Sequence, residues 1–208
     1  MKRTAGILAA FLSTGALLGQ QPTSVPTPAA TPVAASTTPG PLQFQEVVAV
    51  DGATRDQLYN AALAWFTEAF KSGKDVLQVQ NREGGTLIGT GVAQYEPVVL
   101  MASSCTRGVL RYRVTVEGKD GRYRYTFDGF THEGGTSACK SEGISFGLLT
   151  TDRLPPPQVG KLKFFGGLPD SGRIELWNDL KQKATAIAER LTKSLRAKLA
   201  VAANEKPW

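Results

Sequence analysis

The chain has 208 residues, with 24 Lys+Arg against 18 Asp+Glu, one His and two Cys, and 41 % of its residues are hydrophobic. That share is enough to build a packed core, so a wholly disordered chain is excluded, and outside the N-terminus no apolar run reaches the ~18 residues of a membrane-spanning helix. One His and two Cys supply neither a metal-ligand cluster nor a nucleophile with its base, so the sequence points to no enzyme class, no metal and no cofactor.

Lys2 and Arg3 precede an apolar stretch from Ala5 to Leu18, after which the chain turns polar at Gln20 and Gln21. A charged start, a short apolar segment and a polar exit form the pattern of a secretory signal peptide, expected over residues 1–19. The stretch is short for a membrane anchor and is broken by Ser13, Thr14 and Gly15. Export to the periplasm or the cell exterior is therefore expected, with processing near Gly19 or Gln20 and no membrane span afterwards. Loss of Lys2 and Arg3 leaves 22 basic against 18 acidic residues, a net charge of +4. That is too slight to argue for nucleic acid as a partner.

From Gln20 to Leu42 no residue is charged, and six of the twelve prolines stand among Thr, Ala and Ser. Prolines at this density favour extended conformers and remove backbone donors, which marks residues 20–42 as a linker. A single domain is expected over residues 43–208. At 166 residues it is long enough to bury roughly 70 % of its unfolded surface.

Inside that domain the apolar periods predict an α+β fold in the order β-α-β-β-β-β-α, an antiparallel sheet with two helices on one face. Phe44 to Val50 reads as a strand closed by the Asp51-Gly52 turn. Thr54 with Gln57 three residues on forms a capping box, whose side chains satisfy the orphan amides of a helix start. Leu58, Ala62, Trp65 and Ala69 recur at helical spacing with Tyr59, Leu63, Phe66 and Phe70 beside them, and Gly73 stands where a left-handed cap would sit. Asp75 to Gln80 and Thr86 to Tyr95 follow as strands. Gly84, Gly85, Gly89 and Gly91 are turn and strand glycines rather than a phosphate loop, because no Lys and hydroxyl pair follows and no helix begins there.

Val109 to Glu117 and Arg122 to Phe130 form the clearest hairpin. Leu110, Tyr112, Val114 and Val116 share one face with Tyr123, Tyr125 and Phe127, while Arg111, Arg113, Thr115 and Glu117 share the other with Arg122, Arg124, Thr126 and Asp128. A two-residue turn at Asp120-Gly121 would set Glu117 opposite Arg124 and Arg113 opposite Asp128, so charge supports the register independently of hydrophobicity.

Leu58-Tyr59-Asn60-Ala61 running to Trp65-Phe66 and Phe70, Ile88-Gly89-Thr90-Gly91, and Lys119-Asp120-Gly121-Arg122-Tyr123-Arg124 together resemble a family of exported bacterial domains of unknown function with a fold similar to the TATA-box-binding protein. The resemblance covers roughly residues 43 to 203. It implies a curved antiparallel sheet with both helices on one face. It implies no reaction and, despite the fold's name, no DNA binding.

Thr131 to Arg173 is a long excursion with Pro155-Pro156-Pro157, many glycines and only short apolar pieces at Ile144 to Leu149 and Leu162 to Phe165. His132-Glu133 within it reads as a surface pair rather than a metal or catalytic pair, since no second His stands at ligand spacing. In an oxidising compartment Cys105 and Cys139, which flank the hairpin, are expected to pair. The last element, Ile174 to Val201, carries Trp177, Leu180, Ala184, Ile187, Leu191, Leu195 and Leu199 on one stripe and Lys183, Arg190, Lys193 and Arg196 on the other side. Its alanines suit packing on a sheet better than insertion into lipid.

Two readings of function follow. In the first, a non-enzymatic module grips an anionic envelope component, such as a glycan, a lipid head group or a peptide carboxylate, through Arg111, Arg113 and Arg124 on its open sheet face. The competing account of those arginines is a solvated face neutralised by Glu117 and Asp128. In the second reading, a protein-interaction or structural module of the envelope uses the 131–173 excursion.

Overall fold

The computed structural model describes residues 40–70, 76–98, 103–135, 143–156 and 169–204. The expected signal segment and most of the expected linker lie outside them, as do Gly73 and Cys139. The elements are β1 (Phe44–Ala49), α1 (Arg55–Ala69), β2 (Leu77–Asn81), β3 (Thr86–Tyr95), a short α2 (Ser103–Thr106), β4 (Gly108–Lys119), β5 (Arg122–Gly134), β6 (Gly147–Leu148) and α3 (Asp170–Leu199), followed by a 3-10 turn at Ala202–Asn204. The predicted α+β order holds, with β6 and α2 added. Five strands run in the antiparallel order β1-β5-β4-β3-β2, and β6 pairs with the far end of β5.

Strand alternation splits the sheet into a covered and an open face. Leu87, Tyr95, Leu110, Tyr112, Val114, Val116, Tyr123, Tyr125, Phe127 and Phe130 point to the helix side and are buried. Against them α1 lays Leu58, Tyr59, Ala61, Ala62, Trp65 and Phe66, and α3 lays Trp177, Leu180, Ala184, Ala188, Leu191, Leu195 and Leu199. Ile187, expected on this stripe, is only half-buried, and Ala188 lies in the core instead. Gly91 has a packing reason: a Cβ there would overlap the Tyr112 ring, which lies flat across β3.

The capping box forms as the sequence requires. The Gln57 amide donates to Thr54 Oγ1 at 3.2 Å, and the Thr54 amide donates to Gln57 Oε1 at 2.9 Å. Asp120 of the hairpin turn adds a second cap, its Oδ1 accepting from the Arg55 amide at 2.7 Å. Trp65 Nε1 donates to Ser194 Oγ at 2.9 Å and so joins α1 to α3. Tyr125 donates to Glu46 Oε2 at 2.6 Å, and Arg196 is ion-paired to the same carboxylate. Arg196, which the sequence places on the side of the helix away from its apolar stripe, therefore ties α3 to the edge strand β1.

Two stretches are more ordered than their composition suggests. Residues 40–42, assigned by composition to the linker, dock on residues 149–151: Pro41 bridges Thr150, the Leu42 amide donates to the Leu149 carbonyl at 2.8 Å, and Leu42 is buried. Proline lacks an N–H but keeps a carbonyl, so it is tolerated at such a sheet margin. Of the 131–173 excursion, residues 131–134 complete β5 and Ile144, Phe146 and Leu149 enter the core. This part of the excursion is scaffold.

Candidate binding face

The hairpin β4–β5 positions the three candidate arginines. Its register sets Glu117 opposite Arg124 and Arg113 opposite Asp128, as the two-residue turn requires. Arg113 grips Asp128 with both arms of its fork, Nε to Oδ1 at 2.7 Å and Nη2 to Oδ2 at 3.0 Å. That carboxylate holds the guanidinium proton more firmly than usual and pushes the Arg113 pKa up. Arg124 reaches Glu117 Oε2 through Nε at 2.8 Å and Nη2 at 2.7 Å.

Arg111 meets a partner that a straight hairpin would not provide. The register shifts between Arg111 and Arg113, and Gly129 sits in the bulge with φ +64°, a conformation glycine adopts without strain. The extra residue turns Phe130 into the core and brings Thr131 opposite Arg111, so that Glu133 Oε2 accepts from Arg111 Nε at 2.9 Å. All three arginines thus share the open face, and each is paired with a carboxylate.

The same bulge corrects the expected surface placement of His132. Its ring is fully buried, while Glu133 beside it is exposed. Nδ1 accepts from the Phe146 amide at 3.2 Å, which leaves Nε2 to carry the proton and donate to the Thr106 carbonyl at 3.0 Å. Burial holds the imidazole pKa down at about 4, against a smaller opposing effect of the Thr106 bond and the Glu133 charge. His132 is a structural clasp joining β5, α2 and residues 144–146. Tyr95 packs edge-on against it and donates its own hydroxyl proton to Asp179 Oδ2 at 2.7 Å.

Around the arginines the open face is mixed in composition. Val47, Val79, Val92 and Leu148 are exposed there, interleaved with Thr90, Thr115 and Thr126. At the hairpin end a cleft of about 260 Å³ opens between Val47, Glu117, Lys119, Arg122, Tyr123 and Arg124. Sequence reasoning placed Arg122 on this face but passed over Lys119, although the turn that predicts the ion pairs also sets Lys119 directly opposite Arg122. Among the described residues no group of three or more His, Cys, Asp or Glu could hold a metal ion. No helix in the described residues is long and apolar enough to cross a membrane.

Residues 44–133 match the model of a family described as a domain of unknown function (DUF4468) with TBP-like fold. Among solved structures the chain is similar to a DUF4468 family protein from Bacteroides ovatus at 14 % identity and a TM-score of 0.46, covering 74 % of this chain and 86 % of that one. It is also similar to a TBP-like protein from Parabacteroides distasonis at 12 % identity and a TM-score of 0.47, covering 75 % of this chain and 93 % of that one. No curated protein matches the chain.

Proposed function

Since residues 44–133 match the model of a domain of unknown function with TBP-like fold, we propose that the chain belongs to that family and is a non-catalytic binding module whose open sheet face takes an anionic component of the cell envelope. The supporting observation is the charge balance of that face. Among the described residues, Arg111, Arg113, Lys119, Arg122 and Arg124 face Glu117, Asp128 and Glu133, five cations against three carboxylates. The arginines of the face are also about half exposed to solvent, which suits an extended or surface-borne ligand better than a small substrate needing an enclosed pocket. Export, read from Lys2, Arg3 and the apolar stretch that follows, supplies the compartment in which such ligands occur.

The Cys105–Cys139 disulfide belongs to the same reading. Both flanks of residues 136–142 are tied to the neighbourhood of Cys105: the Gly135 amide donates to the Arg107 carbonyl and the Ile144 amide to the Cys105 carbonyl, each at 2.7 Å. A bridge there would fasten the β5 exit to α2.

The test is a thermal-shift titration of the full chain with dextran sulfate, phosphatidylglycerol vesicles and a short DNA duplex, beside a variant carrying Arg111→Gln, Arg113→Gln and Arg124→Gln. A concentration-dependent rise in Tm with an envelope-type anion, reduced in the variant, supports the reading. Absence of any rise with these ligands overturns it, and a rise with DNA alone replaces the envelope partner with nucleic acid.

A further inference from the structure

The central arginines each hold a carboxylate, but the two cations at the hairpin tip do not. Lys119 and Arg122 are direct cross-strand partners, and both are exposed. Like charges directly opposite one another on a sheet repel and destabilise it. Among the described residues neither forms an ion pair, although two acidic residues are close in sequence and a third stands in the adjoining turn. Glu117 is engaged by Arg124, Asp120 is turned to the Arg55 amide, and Asp51 in the adjoining turn pairs with neither.

The cleft between them has the composition of a small anion site. Lys119, Arg122 and Arg124 carry three positive charges against the one carboxylate of Glu117, a surplus of two. Val47, 58 % exposed, supplies an apolar wall on the β1 side. An ammonium and a guanidinium opposed across a hairpin offer several N–H donors to one group of oxygens, and a dianion between them would turn the repulsion into two attractions.

We propose that the hairpin tip is a phosphate-group site, with Lys119 and Arg122 as its principal donors and Val47 contacting the carbon to which the phosphate is attached. This rests on the open face being a binding surface and narrows it to one end of that face and one ligand chemistry. The surplus of two charges favours a phosphomonoester dianion over a single carboxylate. Cationic side chains whose carboxylate partners are already in place, as at Arg111 and Arg113, gain less from the same ligand.

The experiment uses the full chain, its Lys119→Gln/Arg122→Gln variant and, as a control cation away from the sheet face, a Lys193→Gln variant on α3. The probes are inorganic phosphate, phosphatidylcholine vesicles with and without phosphatidic acid, and dextran sulfate. Phosphate binding is read by the amide shifts of residues 117–124, and vesicle binding by co-sedimentation. The tip variant is expected to weaken phosphate binding by at least about tenfold and Lys193→Gln by less than about twofold. Without ligand, the tip variant should melt at or above the wild-type Tm, since the mutual repulsion is gone, which separates loss of binding from loss of folding. Free phosphate displacing the protein from phosphatidic acid vesicles identifies a lipid-borne source, whereas binding of free phosphate with no vesicle capture identifies a soluble one, and either supports the site.

Equal weakening by both variants would overturn the tip site in favour of diffuse surface charge. Binding of dextran sulfate without binding of either phosphate probe would also overturn it, while leaving the sheet-face reading intact. Binding of none of the probes removes both.

Discussion

The two faces of one sheet are built from the same strands, residue by residue in alternation, yet they obey different physics. On the covered face Tyr112, Val114, Val116, Tyr125 and Phe127 are excluded from water by α1 and α3, and each is fixed by the shape of its neighbours. On the open face Arg113, Glu117, Arg124 and Thr126 are held by charge and hydrogen bonding in contact with solvent. The contrast shows where change is costly: the covered face carries stability, while the open face is free to be selected for what it touches.

The sharpest way to break this contrast is a matched pair of truncations. Phe66→Ala on α1, fully buried against the sheet, should cost about 3–5 kcal/mol in urea unfolding, whereas Val92→Ala, 50 % exposed on the open face, should cost no more than about 0.5 kcal/mol. Comparable losses would mean that the open face is itself covered. The proposed disulfide comes next. Closing the 34-residue separation between Cys105 and Cys139, it should contribute about 3–4 kcal/mol, lost on reduction, and the denatured, unreduced protein should titrate no thiols.

His132 tests the covered side by pH. Its folded pKa of about 4 lies below the unfolded value of 6.5, so protonation favours the unfolded chain. The stability is complete above pH 6.5, falls as pH drops from there toward about 4, and levels off below that, a loss of about 3 kcal/mol. An NMR titration of this single imidazole should give a midpoint near 4; a midpoint near 6.5 would place the ring in water. The smallest effect belongs to the open face. A double-mutant cycle on Arg113→Gln and Asp128→Asn should give a coupling of about 0.5–1 kcal/mol that shrinks with added salt, and a larger, salt-insensitive coupling would mark that pair as desolvated.

Much of this was readable before any coordinates, for reasons that differ by region. The capping box at Thr54 and Gln57 and the tip of β4–β5 were legible because local rules govern them: helix-end amides need partners, and a two-residue turn dictates which residues face each other. The Gly129 bulge was not, since a lone glycine in a strand is compatible with straight pairing. Everything beyond it was lost with it, including the Arg111–Glu133 pair and the burial of His132. Residues 144–149 alternate only briefly, and Leu149 rather than Leu148 joins Ile144 and Phe146 in the core, so that placement came only from tertiary packing. The shared face of Arg111, Arg113 and Arg124 was legible from strand alternation, while the unpaired Lys119 was not, because a residue in a turn motif reads for conformation rather than charge.

The attachment of β1 has a kinetic consequence. Strands β2 to β5 form a run in which β2 pairs β3, β3 pairs β4 and β4 pairs β5, each close in sequence, whereas β1 finds its partner at Phe44↔Phe127 and its carboxylate clamp at Arg196, 150 residues beyond Glu46. Contacts of such separation must wait for the chain between them to be ordered. The meander should therefore assemble first, with β1 docking after the rate-limiting barrier. Loosening the clamp, as in Glu46→Gln, would hasten unfolding and leave the folding rate almost unchanged.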